Sequence, residues 1–220
     1  MSTSNWQNIS YNIDLIKKLN PDSILDIGVG FGRWGILFRE FLEVWGDNNF
    51  KGEWNRIIDG IEIFPEYIRD YHKYFYNNIF IADALEHIQN TKVAYDLINC
   101  GDVIEHFEKH EGLKLIKLCL ERSKYVLINI PIGTNWKQDS VNNNEYEKHR
   151  SIWQNSDFNK YKFSLVKKFK DIQNRDFSVI LLSNEKINLN LAYGKYFGIK
   201  NFMRNKLKIG RIVDMVEGKV

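Results

Sequence analysis

At 220 residues, with 44% hydrophobic and 27% charged residues, the chain has ordinary globular composition and enough length for one well-packed domain, which excludes disordered and fibrous classes. The net charge of +3 is too small to define a nucleic-acid partner, but its distribution is uneven: the segment from Glu185 onward carries +5, leaving about −2 for the body. A body domain, 1–184, and a basic extension, 185–220, are therefore expected. Cys100 and Cys119 are the two cysteines and form no CxxC motif, which fits a reducing compartment and excludes a thiolate zinc site. The first residues lack a charged n-region and an apolar h-region, and runs such as 125–130 fall far below the roughly 18 apolar residues of a membrane span. A cytoplasmic location is expected.

Taken in chain order, a helix over 13–19 must stop before Pro21. Strands are expected at 23–27, 56–61, 79–82, 95–100 and 125–130, with two more near 163–169 and 177–182. Between them fall helices at about 33–42, 65–76, 85–89 and 111–122. In the last of these Leu113, Ile116 and Leu120 recur at helical spacing. Strands alternating with helices define an α/β domain with a mostly parallel sheet. Residues 43–54 read as a polar insertion and 133–147 as a long Asn-rich loop, a length that favours function or mobility.

The most informative stretch is Ser23-Ile-Leu-Asp-Ile-Gly-Val-Gly-Phe-Gly32, a strand ending in an acid followed by alternate glycines and a helix start. Glycines let the backbone turn tightly beside a ligand, and the helix N-terminus presents free N–H groups. Asp26-x-Gly28-x-Gly30-x-Gly32 resembles the first motif of class I S-adenosylmethionine-dependent methyltransferases. The resemblance implies a Rossmann-like, doubly wound seven-stranded sheet with helices on both faces, whose last strand runs antiparallel between the fifth and sixth. It also implies that the glycine loop lies against the methionine part of S-adenosylmethionine, that Glu62 accepts the ribose hydroxyls, that Asp83 and Ala84 meet the adenine, and that Asp102 passes under the cofactor. Gly30, Gly32 and Gly35 also spell GxGxxG, so an NAD-binding dehydrogenase is the alternative. Against it, Asp26 stands inside the strand end, and Glu62 lies 30 residues beyond Gly32, more than the roughly 20 of a dinucleotide fingerprint. A non-catalytic methyltransferase-like protein is a further alternative, opposed by the intact glycines and Glu62.

Chemistry is expected beside the carboxyl end of the fourth strand. There Asp102, Glu105 and His106 would share one face if helical. Further on, His149-x-x-x-Trp153-x-x-x-x-Phe158 resembles a segment of small-RNA 3′-terminal 2′-O-methyltransferases and of O-methyltransferases from ubiquinone and sugar pathways. That resemblance implies a divalent metal (Mg²⁺, Mn²⁺ or Fe²⁺) on Asp102, Glu105, His106 and His149, holding two vicinal hydroxyls, although Asp102 stands where the RNA enzymes have Glu. The alternative is metal-free, with His106 or His149 as the base and Glu105 at a helix N-terminus. Trp153 and Phe158 read as core anchors, Asn155 or Ser156 as an N-cap, and Tyr146 and Trp136 as candidate pocket walls. The slightly acidic body and the lack of a basic platform disfavour RNA, so the expected acceptor is a sugar, a glycan precursor or another small polar metabolite, with quinone precursors and RNA as alternatives. The tail spaces Ile209, Ile212, Val213 and Val216 helically among basic residues, which suits packing on the domain, a homodimer contact or peripheral membrane attachment.

Overall fold

A computed structural model describes residues 5–141, 143–187 and 189. The expected basic extension therefore lies almost wholly outside the described residues. Helix α1 (Ile9–Leu19) ends at Asn20, whose left-handed backbone turns the chain into Pro21. It is followed by β1 (Ser23–Ile27), α2 (Arg33–Phe38), β2 (Ile57–Glu62), α3 (His72–Phe75), β3 (Asn78–Ile81), α4 (Ala84–Asn90) and β4 (Tyr95–Gly101). Helix α5 (Lys109–Arg122), β5 (Ser123–Pro131), β6 (Phe163–Lys170) and β7 (Asp176–Ser183) complete the domain.

The seven strands form one sheet in the order β3-β2-β1-β4-β5-β7-β6. β1, β2, β3, β4 and β5 pair in parallel, whereas β7 runs antiparallel to both β5 and β6. Near-continuous apolar runs such as Leu97-Ile98 and Val179–Leu182 follow from burial on both faces. On one face Ile98, Cys100, Ile128 and Ile130 pack with Ala84 and Ile88 of α4 and Leu115, Ile116 and Cys119 of α5. The intervening residues Ile24, Leu97, Leu127 and Leu181 point the other way and are equally buried, as are Leu15, Ile16 and Phe38. The strand order reverses between β1 and β4, so their carboxyl ends open a crevice at the switch point.

Two expected helices are altered. The helix starting at Arg33 widens into a π-helix over Arg39–Val44. Arg39 is buried there and donates to Glu43 Oε2, to the carbonyls of Phe75 and Arg56 and to Asn77. The helix expected over 65–76 is broken: a 3₁₀ turn covers Pro65–Tyr67, Ile68 is extended, and α3 begins only at His72. The break serves tertiary partners, because Tyr67 donates to Glu147 and Tyr76 to Asp26. Among the described residues no helix is long and apolar enough to cross a membrane.

Candidate active site

An open cavity of about 370 Å³ lies at the switch point. The β1–α2 loop forms one wall. Gly28, Gly30 and Gly32 all have positive φ, at 76°, 52° and 83°. At Gly28 a Cβ would stand 2.6 Å from Val103 Cγ2, so both conformation and space exclude a side chain. Gly28 and Gly30 line the cavity, and Gly32 closes the turn through its N–H to the Val29 carbonyl.

Glu62, at the end of β2, lines the same cavity and is 6% exposed. Its Oε2 accepts from the Gly30 N–H at 2.8 Å and its Oε1 from the Phe64 N–H at 2.9 Å. Burial raises its proton affinity above the ordinary carboxylate range, against the pull of those amides. Asp83 caps α4 by accepting from the Glu86 N–H, and both Asp83 and Ala84 face the cavity. Asp26 does not line the cavity. It is wholly buried behind the glycine loop, where Tyr76 Oη donates at 2.6 Å and Asn99 Nδ2 at 2.8 Å. Burial pushes its carboxyl up to about 7, opposed by those two hydrogen bonds.

Asp102 and His106 also line the cavity, and acid and imidazole groups gather around His106. Asp102 has a left-handed backbone, φ 54°, so the helical face expected for Asp102, Glu105 and His106 does not form. Instead a 3₁₀ turn covers Ile104–His106. Glu105 N-caps nothing: α5 is capped by Glu108 in a reciprocal box with Glu111. The Glu105 carbonyl accepts from the Arg150 and Ser151 N–H groups at 2.8 and 3.1 Å, which clamps the long loop to this turn and delivers His149 to His106. Their rings meet edge-on with centroids 5.0 Å apart. Ligand atoms of Glu105, His106 and His149 lie within 4.8 Å of one another, and Asp102 is not in that group.

The surroundings of the three groups differ. Glu105 is 1% exposed, and its Oε2 has no hydrogen-bond partner. Burial, then the charge of Asp102, drives its carboxyl well above the ordinary range. Nδ1 of His106 is 3.2 Å from the Lys148 carbonyl and Nδ1 of His149 is 2.5 Å from the Trp136 carbonyl. A backbone carbonyl beside one ring nitrogen is the usual outer-shell support of a metal-binding histidine. Burial lowers the proton affinity of both rings, and for His149 the neighbouring His106 lowers it further.

Around this group, Trp153 and Phe158 are buried and stacked, with Lys109 Nζ 3.7 Å from the Trp153 ring centroid. The cap of the short turn Asn155–Phe158 is Gln154, paired with Asp157, rather than Asn155 or Ser156. Tyr146 lines the cavity. Trp136 does not: its indole donates to the Asp176 carbonyl beneath the Arg175 guanidinium. Two cavity residues carried no signal that marked them in the sequence, Tyr67 and Glu147. They lie 80 residues apart and meet only because the loop crosses the cavity.

The fold is that of S-adenosylmethionine-dependent methyltransferases. Similar solved structures include a SAM-dependent methyltransferase from Archaeoglobus fulgidus (15% identity, 80% of this chain and 94% of that one, TM-score 0.54). The methyltransferase domain of bacterial CtHen1 is also similar (17%, 80% and 97%, TM-score 0.50), as is the N-terminal domain of EvdMO1 with SAH bound (10%, 83% and 83%, TM-score 0.52). No family model and no curated protein matches the chain.

Proposed function

We propose that this protein is an S-adenosylmethionine-dependent O-methyltransferase acting on a hydroxyl of a sugar, a glycan precursor or another small polar metabolite. The observation that carries the reading is one cavity lined by the glycine loop and Glu62 and also by His106, whose ring is grouped with Glu105 and His149 beside it. In this reading Glu62 accepts the ribose hydroxyls and Asp83 faces the adenine. The acceptor oxygen attacks the methyl carbon in line, the carbon–sulfur bond breaks with its electrons passing to sulfur, and the hydroxyl proton passes to water or, without a metal, to the His106 imidazole that lines the cavity. S-adenosylhomocysteine and the methyl ether are the products.

Glu105, His106 and His149 suit a divalent ion such as Mn²⁺, Fe²⁺ or Mg²⁺. Two imidazoles and one buried carboxylate oxygen without a hydrogen-bond partner are a mixed N/O donor set. When bound, such an ion would hold two vicinal hydroxyls and make one more acidic. The chain's part is to fix the donors: backbone carbonyls orient both rings, and the Glu105–Arg150 clamp joins the two segments. The test uses radiolabelled S-adenosylmethionine and a metabolite extract. Label should enter a small polar product, stop on chelation and return with added Mn²⁺ or Mg²⁺. Full transfer after exhaustive chelation would overturn the metal and leave His106 or His149 as the base. Label in RNA alone would overturn the acceptor class.

A further inference from the structure

Glu147 is assigned nothing by the reading above, although it lines the same cavity. The turn Glu145–Glu147 is capped by Asn144, whose side chain accepts from the Tyr146 N–H, and the Glu147 carbonyl accepts from Gln138 Nε2 at 2.6 Å. Its side chain is held as firmly. Oε1 accepts from Tyr67 Oη at 2.7 Å, and Tyr67 itself lines the cavity from the far wall. Glu147 is 7% exposed, lines the cavity, and forms no ion pair among the described residues. It is not one of the three grouped ligands.

The Glu147 carboxyl lines the cavity with Oε1 held by a neutral phenol and with no ion pair among the described residues. It is suited to a donor supplied from the cavity. Beyond the acids given to the cofactor and to the α5 cap, Asp102 also lines the cavity, with the guanidinium groups of Arg33 and Arg150. Arg150 is exposed and turned to the Glu145 carbonyl. A phosphate or carboxylate on the acceptor would meet this negative wall and gain no cation at Glu147.

We propose that Glu147, braced by Tyr67, is the specificity-determining residue for the acceptor: it receives a hydroxyl of a neutral polyol and excludes phosphorylated or carboxylated acceptors. This rests on the methyl-transfer reading of the site and narrows its substrate class. Tyr67 acts through Glu147 as a positioning residue.

The test keeps the full chain and uses a metabolite extract split by anion exchange into neutral and anionic fractions, each incubated with radiolabelled S-adenosylmethionine. Label should enter the neutral fraction with the wild type. Glu147→Gln keeps an acceptor oxygen for Tyr67 but removes the charge. It should raise KM for the purified neutral acceptor by roughly tenfold or more, the effect of one charged hydrogen bond, change kcat little, and admit anionic acceptors. Tyr67→Phe, which frees Glu147 to move, should weaken the neutral preference when assayed well below the variant's own melting temperature. Wild-type label in the anionic fraction, or unchanged KM and selectivity in Glu147→Gln, would overturn the proposal while leaving methyl transfer standing. Weaker S-adenosylhomocysteine binding in Glu147→Gln would also overturn it, by giving the residue to the cofactor. No label in either fraction would overturn both, and calorimetry with S-adenosylhomocysteine then shows whether cofactor binding survives.

Discussion

Asp26→Asn should change the pH dependence of stability in a defined direction. The Asp26 carboxyl is wholly buried and stands at about 7 in the folded protein, against an ordinary 3.8. Between those pH values the folded chain keeps the proton and the unfolded chain gives it up, so this group's contribution is full below about pH 4 and is lost as pH rises toward 7. The total is about 4 kcal/mol, from roughly three pH units at about 1.4 kcal/mol each. An amide at position 26 does not titrate and can be accommodated. Its oxygen accepts from Tyr76, and its Nδ2 can donate to Asn99 Oδ1, which is buried without a partner. Urea unfolding of both proteins at pH 4, 5, 6 and 7.5 measures the difference, and titrations common to the two cancel. The variant should gain on the wild type by about 4 kcal/mol across that range. A difference that stays constant, or moves the other way, would refute the assignment of a raised, buried carboxyl beneath the glycine loop.

At Gly28 an added methyl meets Val103 with φ at +76°, so Gly28→Ala should destabilise by about 2–4 kcal/mol in urea unfolding, from left-handed strain plus overpacking. An unchanged midpoint would contradict the tight loop. His149→Ala should remove the bound divalent ion, read by elemental analysis of dialysed protein, and abolish metal-dependent transfer. Because Glu105 holds its proton well above the ordinary carboxylate range whereas burial lowers the proton affinity of His106 and His149, metal occupancy of the wild type should fall as pH drops, with Glu105 taking its proton before the two rings. An occupancy that does not fall on acidification would contradict that ligand set.

The glycine-loop side of the cavity was legible in the sequence because its determinants are local. Asp26 to Gly32 spans a single strand end and turn, and Glu62 and Asp83 each stand at the next strand end. The seven strands were legible for the same reason, with ends displaced by a residue or two. What periodicity could not show was tertiary override. The break at Ile68 depends on Tyr67 reaching Glu147, and the π-helix on a buried Arg39 whose partners include Phe75 and Asn77. The acid and imidazole group was half legible. Glu105, His106 and His149 converge, but the helical spacing that also recruited Asp102 fails because Asp102 adopts a left-handed turn. Glu147 had no local mark, since its importance comes from the cavity it faces.

The central claim, that the switch-point cavity binds the nucleoside of S-adenosylmethionine through Glu62, is tested most directly by calorimetric titration with S-adenosylhomocysteine and, separately, with NAD. The wild type should bind S-adenosylhomocysteine one to one and show no heat with NAD. Glu62→Ala should weaken binding by roughly ten- to hundredfold, from lost hydrogen bonds to a charged group. Binding of NAD without S-adenosylhomocysteine, or full S-adenosylhomocysteine affinity in Glu62→Ala, would contradict it.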